Sequence, residues 1–202
     1  MLSEFFLSFK NHFSILNLFE YITFRSALAA ITALIISFII GPYVIKTLKK
    51  NQIGEEIRKN GPKTHLIKRG TPTMGGVIII FSALLPTLMF SNLNNTMIKI
   101  VIFSTLWMGI IGFIDDYMKV IIKLKKGMIA RYKMAGQISL GIIISYWIIN
   151  SNQFLEFNTK TTIPFLKNVE LDLGFFYPLM VIIVLTATSN AVNLTDGLDG
   201  LA

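Results

Sequence analysis

The chain has 202 residues, of which 53% are hydrophobic, 15% are charged and none is cysteine. Soluble domains usually carry about 25% charged residues and are less apolar, so this composition argues against a soluble globular protein. The lack of cysteine in the sequence excludes a disulfide-stabilised scaffold, a thiolate metal site and a cysteine nucleophile. The apolar residues are gathered into long runs, and we therefore predict an integral membrane protein.

The first 20 residues, 1–20, are apolar but interrupted by charged residues, including Glu4, Lys10 and Glu20. This pattern predicts an interfacial helix that lies at the membrane surface. A cleaved signal peptide is the alternative, but neither a basic n-region nor a small-residue cleavage site precedes the first long apolar run.

Five apolar runs follow, each a candidate membrane span. A hydrocarbon core of about 30 Å requires roughly 20 helical residues, and fewer when flanking side chains snorkel to the interface. The predicted spans are Ser26–Ile45, Met74–Phe90, Met97–Ile114, Met134–Ile149 and Gly174–Thr188. Together they predict an all-α integral membrane protein, a polytopic helical bundle that forms a single membrane domain over residues 1–202.

Basic residues are concentrated in two of the connecting segments. Of the 19 Lys and Arg residues, 8 lie in 46–69 and 6 in 119–133, whereas 91–95 and 150–173 together hold 2. The positive-inside rule places the two basic segments in the cytoplasm, the N-terminus outside and the end of the chain inside. The net charge of +8 is thus mainly a topology signal. Nucleic acid is not predicted as a partner, because the basic segments offer only one aromatic side chain for stacking, Tyr132.

Three polar clusters are predicted at the cytoplasmic face. The first, residues 61–76, precedes the second span with the sequence GPKTHLIKRGTPTMGG. Thr71 suits a helix N-cap and Pro72 the first helical position. Two interpretations stay open. The glycine pair that ends the cluster can serve close helix packing alone, or the helix N-terminus beside Lys68 and Arg69 can bind a phosphate.

The second cluster, residues 112–119, follows the apolar part of the third span with the sequence GFIDDYMK. Its adjacent carboxylates, Asp115 and Asp116, face the negative end of the helix dipole and repel each other, which is costly near the membrane and indicates a function. Lys119, one turn after Asp115, or a bound divalent cation would compensate this charge. Neighbouring helical side chains point about 100° apart, so we predict different roles for the two acids.

The third cluster, residues 190–202, follows the fifth span with the sequence NAVNLTDGLDGLA. Its polar residues recur at every third position and would form a drifting stripe on a helix: Asn190, Asn193, Asp196 and Asp199. Gly197 and Gly200 could instead break the helix into a ligand-binding turn. Carboxylates, amides and lysines without cysteine or histidine clusters favour Mg²⁺ and are typical of phosphoryl transfer. The residues therefore predict a membrane enzyme that handles phosphates with Mg²⁺, but they do not identify its substrate.

Three motifs in this order resemble the phospho-N-acetylmuramoyl-pentapeptide-transferase family of bacteria: GTPTMGG at 70–76, GFIDDYMKV at 112–120 and NAVNLTDGLDGLA at 190–202. The resemblance implies transfer of phospho-N-acetylmuramoyl-pentapeptide from UDP-N-acetylmuramoyl-pentapeptide to undecaprenyl phosphate, which gives lipid I and UMP with Mg²⁺ as the cofactor. This is the first membrane step of peptidoglycan synthesis, on which cell-wall biogenesis, cell shape and cell division depend. It implies a multi-pass protein of the bacterial plasma membrane and leaves homodimer formation open.

The resemblance also implies roles for individual residues. Asp115 matches the family's proposed base, which deprotonates or orients the lipid phosphate, and Asp116 matches an acid needed for activity; both are candidate Mg²⁺ ligands. The other matches are substrate-site positions: Lys68, Thr73, Lys119 and Lys133 for the nucleotide and pyrophosphate, and Asn193, Asp196 and Asp199 for the nucleoside or for support of the site. We expect direct attack by the lipid phosphate, because no side chain is a more plausible nucleophile.

Members of the family are longer, with ten spans, and this chain resembles their N-terminal part. Residues 1–202 by themselves are therefore expected to be inactive. The alternative functions are a related polyprenyl-phosphate transferase that uses another UDP-sugar, a membrane transporter or channel, and a non-catalytic protein that only binds partners. A transporter would place acids near the midpoints of spans, whereas Asp115 and Asp199 lie at or beyond their ends.

Overall fold

The computed structural model describes residues 2–50, 74–124, 127–155, 159–163, 165–166 and 169–195. The chain divides into two compact units, Met1–Met128 and Ile129–Ala202. The described residues of both units are mainly helical, with one short β-hairpin in the second. This confirms the predicted all-α membrane class, while the single domain over 1–202 stays a prediction.

The first unit begins with two short helices, α1 at Leu2–Ser8 and a 3-10 helix at Ser14–Glu20. The prediction of one interfacial helix over this segment is wrong, because the chain turns between the two helices. Lys10 lies in that turn and pairs with Glu20, with 2.8 Å between Nζ and Oε1. This pair thus links the turn after α1 to the end of the 3-10 helix.

Three longer helices complete the first unit: α2 at Ile22–Lys50, α3 at Gly76–Phe90 and α4 at Thr96–Val120. Helix α2 packs against α3, and α3 packs against α4. A methyl group at Gly109 of α4 would lie only 2.5 Å from Ile80 Cδ1 of α3, so the glycine lets these two helices approach closely.

Each predicted span overlaps a helix. Helices α2 and α4 extend beyond their apolar runs at both ends, whereas α3 lies within its run. Among the described residues, three segments are long and apolar enough to cross a membrane: Ile22–Lys50, Thr96–Val120 and Gly174–Asn193. Helix α3 is apolar but has only 15 residues. Charged residues continue a helix as readily as apolar ones, and for this reason hydropathy alone places the helix ends too early.

The second unit contains two long helices, α5 at Ala130–Ile149 and α6 at Tyr177–Thr195. Between them lie a 3-10 helix, a β-hairpin and a second 3-10 helix: Asn152–Phe154, then β1 at Lys160–Thr162 paired with β2 at Glu170–Asp172, then Gly174–Phe176. The strands are antiparallel, with Thr161 opposite Leu171. This hairpin was not predicted from the sequence.

Helices α5 and α6 pack closely against each other. A methyl group at Gly141 would lie 3.0 Å from the Ile182 Cα, so a glycine again permits the contact. Leu140 beside it is buried, whereas large apolar side chains on other helices are exposed, and Phe38 of α2 is 77% exposed. Exposed apolar helix faces of this kind are expected where the surrounding solvent is lipid.

Candidate active site

The best-defined candidate site lies in the last turns of α4. The Asp115 Oδ2 and the Lys119 Nζ are 2.8 Å apart, and the side chains of these residues are 14% and 39% exposed. An acid four residues before a base is the favourable orientation of such a pair on a helix, and a cation also suits the negative end of the helix dipole. This contact confirms that Lys119 compensates the charge of Asp115.

The chain after α4 turns back towards the same carboxylate. Lys123 adopts a left-handed conformation with φ of 58°, and the Leu124 N–H donates to the Met118 carbonyl across it at 3.0 Å. The Met128 N–H then donates to Asp115 Oδ1 at 2.8 Å. Both oxygens of Asp115 are therefore engaged, one by an ammonium group and the other by a backbone amide.

Asp116 is half-buried and follows Asp115 directly on α4. Because successive helical side chains are about 100° apart, it points in a different direction from the carboxylate that meets the loop. The different roles of the two acids stay a prediction.

The predicted Mg²⁺ site remains a prediction. Within the part of the chain that the structure describes, no group of three or more His, Cys, Asp or Glu residues could hold a metal ion. Asp196 and Asp199 lie outside the described residues. Asp115 and Asp116 nevertheless offer hard oxygen donors, and Mg²⁺ is usually bound by one or two carboxylates together with waters and substrate phosphates. The carboxylate oxygens of these two residues are therefore of the ligand type that Mg²⁺ prefers.

The first polar cluster is described only from Met74 onward, so Lys68 and Thr73 lie outside the described residues. Helix α3 begins at Gly76, and Met74 is left-handed with φ of 72°. Thr71 and Pro72, where the sequence predicts a helix start, lie outside the described residues.

The glycine pair of the first cluster makes no close helix contact with described residues. No described atom lies within 4 Å of a methyl group built at Gly75 or Gly76. The interpretation that this pair serves close helix packing therefore finds no support in the described residues. The phosphate-binding interpretation stays open.

Only the start of the third cluster is described, as the last turns of α6. The Asn190 Nδ2 donates to Gln137 Oε1 at 3.1 Å and to the Thr186 carbonyl at 2.8 Å. Gln137 Nε2 donates to Ser189 Oγ at 3.0 Å, and Gln137 is only 1% exposed. Asn193 is exposed on the same helix. The first asparagine of the cluster therefore joins a buried contact between α5 and α6.

Gln137 and Ser189 are the residues of this contact that the sequence analysis missed. A glutamine inside the predicted fourth span was the available signal, because a buried amide in an apolar helix needs hydrogen-bond partners. Lys133, another predicted site residue, is half-buried in the first turn of α5. It belongs to the second unit and Asp115 to the first, so the convergence of all three clusters at one membrane face stays a prediction.

The chain is similar to several curated proteins named phospho-N-acetylmuramoyl-pentapeptide-transferase. The relative from Thermodesulfovibrio yellowstonii is 48% identical over 202 residues, which is 100% of this chain and 56% of the relative. The relative from Desulforapulum autotrophicum is 46% identical over 100% of this chain and 55% of its own length. The relative from Chlorobaculum parvum is 45% identical over 91% of this chain and 50% of its own length. The chain thus spans about half the length of these relatives.

Family models match two parts of the chain. Residues 68–80 match signature 1 of phospho-N-acetylmuramoyl-pentapeptide-transferase. Residues 98–202, more than half of the chain, match the glycosyl transferase family 4 model, and this match covers α4 with Asp115 and Asp116. The chain therefore belongs to glycosyl transferase family 4.

Proposed function

We propose that the complete gene product transfers phospho-N-acetylmuramoyl-pentapeptide from its UDP-linked donor to undecaprenyl phosphate, giving lipid I and UMP for peptidoglycan synthesis. The match of residues 68–80 to signature 1 carries this proposal, because it distinguishes this transferase from other members of glycosyl transferase family 4. The identity of 45–48% to relatives of that name supports the same activity.

We place the protein in the bacterial plasma membrane, with several spans and with its basic segments in the cytoplasm. Two features support this location: three described helices of spanning length and the concentration of lysine and arginine in 46–69 and 119–133. Undecaprenyl phosphate lies in the bilayer and the UDP-linked donor in the cytoplasm. A site at the end of α4, where lipid meets cytosol, is accessible to both.

In the proposed reaction, an oxygen of the lipid phosphate attacks the phosphorus that carries the sugar. A new phosphorus–oxygen bond forms, the bond to the phosphate of UMP breaks, and UMP leaves with the electron pair. Asp115 has the role of orienting the attacking phosphate or taking its proton. Its contacts with Lys119 and with the Met128 N–H support this role, because they fix the direction of the carboxylate before the substrate arrives.

The proposed cofactor is Mg²⁺, which when bound would neutralise negative charge on the pyrophosphate of the donor. Asp115 and Asp116 are the proposed carboxylate donors, because hard oxygen ligands suit Mg²⁺. The proposed nucleotide and pyrophosphate contacts are Lys68, Thr73, Lys119 and Lys133, and the proposed nucleoside segment contains Asn193, Asp196 and Asp199. An ammonium group has three N–H donors, and thus Lys119 can contact a phosphate while it still pairs with Asp115.

A transfer assay with two donors tests the function. The purified gene product, undecaprenyl phosphate and Mg²⁺ are incubated with radiolabelled UDP-N-acetylmuramoyl-pentapeptide or UDP-N-acetylglucosamine, and the lipid products are separated. We expect labelled lipid and UMP only with the first donor. Product only with the second would assign the related transferase instead. Ion flux without UMP release would support a transporter.

The matched variants Asp115→Asn and Asp172→Asn test the role of the α4 carboxylate. Both variants replace one carboxylate oxygen by an NH2 group. Asp172 lies on the exposed hairpin and not in the candidate site. We expect Asp115→Asn to insert normally into membranes and to lose most of its turnover, while Asp172→Asn keeps it. Near-normal turnover of Asp115→Asn would exclude this carboxylate as the base.

A further inference from the structure

We infer that Gly127 is a positioning residue for Asp115, an inference that rests on the proposed function for its catalytic consequence. Gly127 lies in the loop that returns from α4 and is buried. Its φ of 62° is in the left-handed region, which glycine adopts without steric cost and other residues rarely adopt. The backbone conformation alone therefore favours glycine at this position.

The space around Gly127 is a second and independent reason for glycine. A methyl group at this position would lie 2.6 Å from Asp115 Oδ1 and 2.6 Å from Lys119 Cε. Both distances are far below an ordinary van der Waals contact. The peptide after Gly127 thus rests directly on the ion pair, and only hydrogen fits between them.

Both side chains that the methyl group would meet also form the contacts that hold the carboxylate. Asp115 Oδ1 accepts the N–H of Met128, the residue that follows Gly127. Lys119 could move away, but its Nζ would then leave Asp115 Oδ2. A side chain at position 127 would therefore require Asp115 or Lys119 to shift, and these are the two groups of the ion pair.

This arrangement fixes the carboxylate from two sides. Lys119 reaches it along the helix, and the Met128 N–H reaches it across the loop, while the Gly127 backbone sets the distance between loop and helix. Reacting groups that are misplaced by about 1 Å can lose on the order of 100-fold in rate. We therefore assign Gly127 the role of setting the orientation of Asp115, without contact to substrate.

The first test measures the contact without any substrate. Hydrogen exchange of the Met128 amide is followed in the complete gene product for the wild type, Gly127→Ala, Asp115→Ala and Gly174→Ala. Gly174 is the matched control, because it is also left-handed, with φ of 46°, but has no described atom within 4 Å of a methyl group. We expect faster exchange in Gly127→Ala and Asp115→Ala only. Wild-type protection of Met128 in Gly127→Ala would overturn the inference, whether or not Asp115→Ala exchanges faster.

The second test separates positioning from a general structural defect. We expect Gly127→Ala to lower kcat about 10- to 100-fold, whereas Gly174→Ala keeps it. In the Asp115→Asn background, the same Gly127→Ala change should lower the residual turnover no further, since the group that it positions is gone. An equal loss in both backgrounds would mean that Gly127 acts through stability alone. If the wild type makes no lipid product, the proposed function fails, and the exchange experiment still decides the Gly127 contact.

Discussion

The buried contact between α5 and α6 gives a prediction for stability. Replacing Gln137 by leucine keeps a similar side-chain volume and removes both hydrogen bonds of the amide, to Ser189 and to Asn190. Gln137 is 1% exposed, so water cannot replace the lost partners. We therefore expect Gln137→Leu to lower the free energy of unfolding.

The magnitude follows from what the two hydrogen bonds contribute. Hydrogen bonds between helices in membranes average about 0.6 kcal/mol each, so two of them amount to roughly 1 kcal/mol. In Gln137→Leu, the Asn190 amide still donates to the Thr186 carbonyl. This remaining hydrogen bond limits the free-energy cost of losing the Gln137 acceptor. The apolar leucine side chain packs at little cost in a site of this size. The expected loss is thus about 1 kcal/mol, or about a fivefold change in the unfolding equilibrium.

Equilibrium unfolding in mixed micelles measures this loss, with Gln153→Leu as the matched control. Gln153 is exposed in the 3-10 helix after α5, and its replacement should change the free energy by less than about 0.5 kcal/mol. Asn190→Leu should weaken the same contact, and the two variants together should lose less than the sum of their separate effects. A Gln137→Leu variant as stable as the wild type, or strictly additive losses, would refute the reasoning.

Two further predictions concern charged groups, one in the candidate site and one in the hairpin. Lys119→Ala should weaken binding of the UDP-linked donor about tenfold or more, because a charged hydrogen bond to phosphate is lost, and should weaken binding of the lipid less. Lys160→Ala, on the hairpin, is the control. An unchanged donor affinity of Lys119→Ala would contradict the assigned contact. The hydroxyl of Thr159 and the N–H of Gly174 donate to Asp172 and hold its pKa below the ordinary 3.8. These contacts therefore stabilise the hairpin fully above pH 3.8, and the stabilisation is lost as the pH falls through the lowered pKa of the folded state. Thr159→Val should raise the pKa of Asp172 towards 3.8, as followed by NMR of its carboxyl carbon, and an unchanged titration would show that the hydroxyl is not its cause.

Hydropathy predicted the helices well because each one needs an apolar surface towards lipid. It could not predict their ends, since charged residues such as Lys49 and Lys50 continue α2 beyond the apolar run. The hairpin was missed for a related reason. Its strands have only 3 residues each and are mostly exposed, so no alternation of buried and exposed positions is long enough to mark them.

The candidate site was predictable in part. The spacing of Asp115 and Lys119 predicted their ion pair, because residues four apart lie on one face of a helix. The third partner of the site, the Met128 N–H, was not predictable, since a backbone amide has no sequence signal and its place depends on the turn through Lys123 and Gly127. Local spacing thus revealed contacts within one helix, while contacts that depend on a chain reversal needed the structure.

The adjacent aspartates show how a helix can give identical side chains different chemistry. Asp115 faces the returning loop, where an ammonium and an amide N–H fix the direction of its charge. Asp116 follows it directly on α4 and is rotated from it by about 100°. A carboxylate held by a cation offers a fixed orientation but is a poorer ligand for a second cation, since the two positive charges repel each other. A helical Asp-Asp pair can therefore present one carboxylate that the protein orients and a second that faces another direction, as a reaction with two carboxylate roles requires.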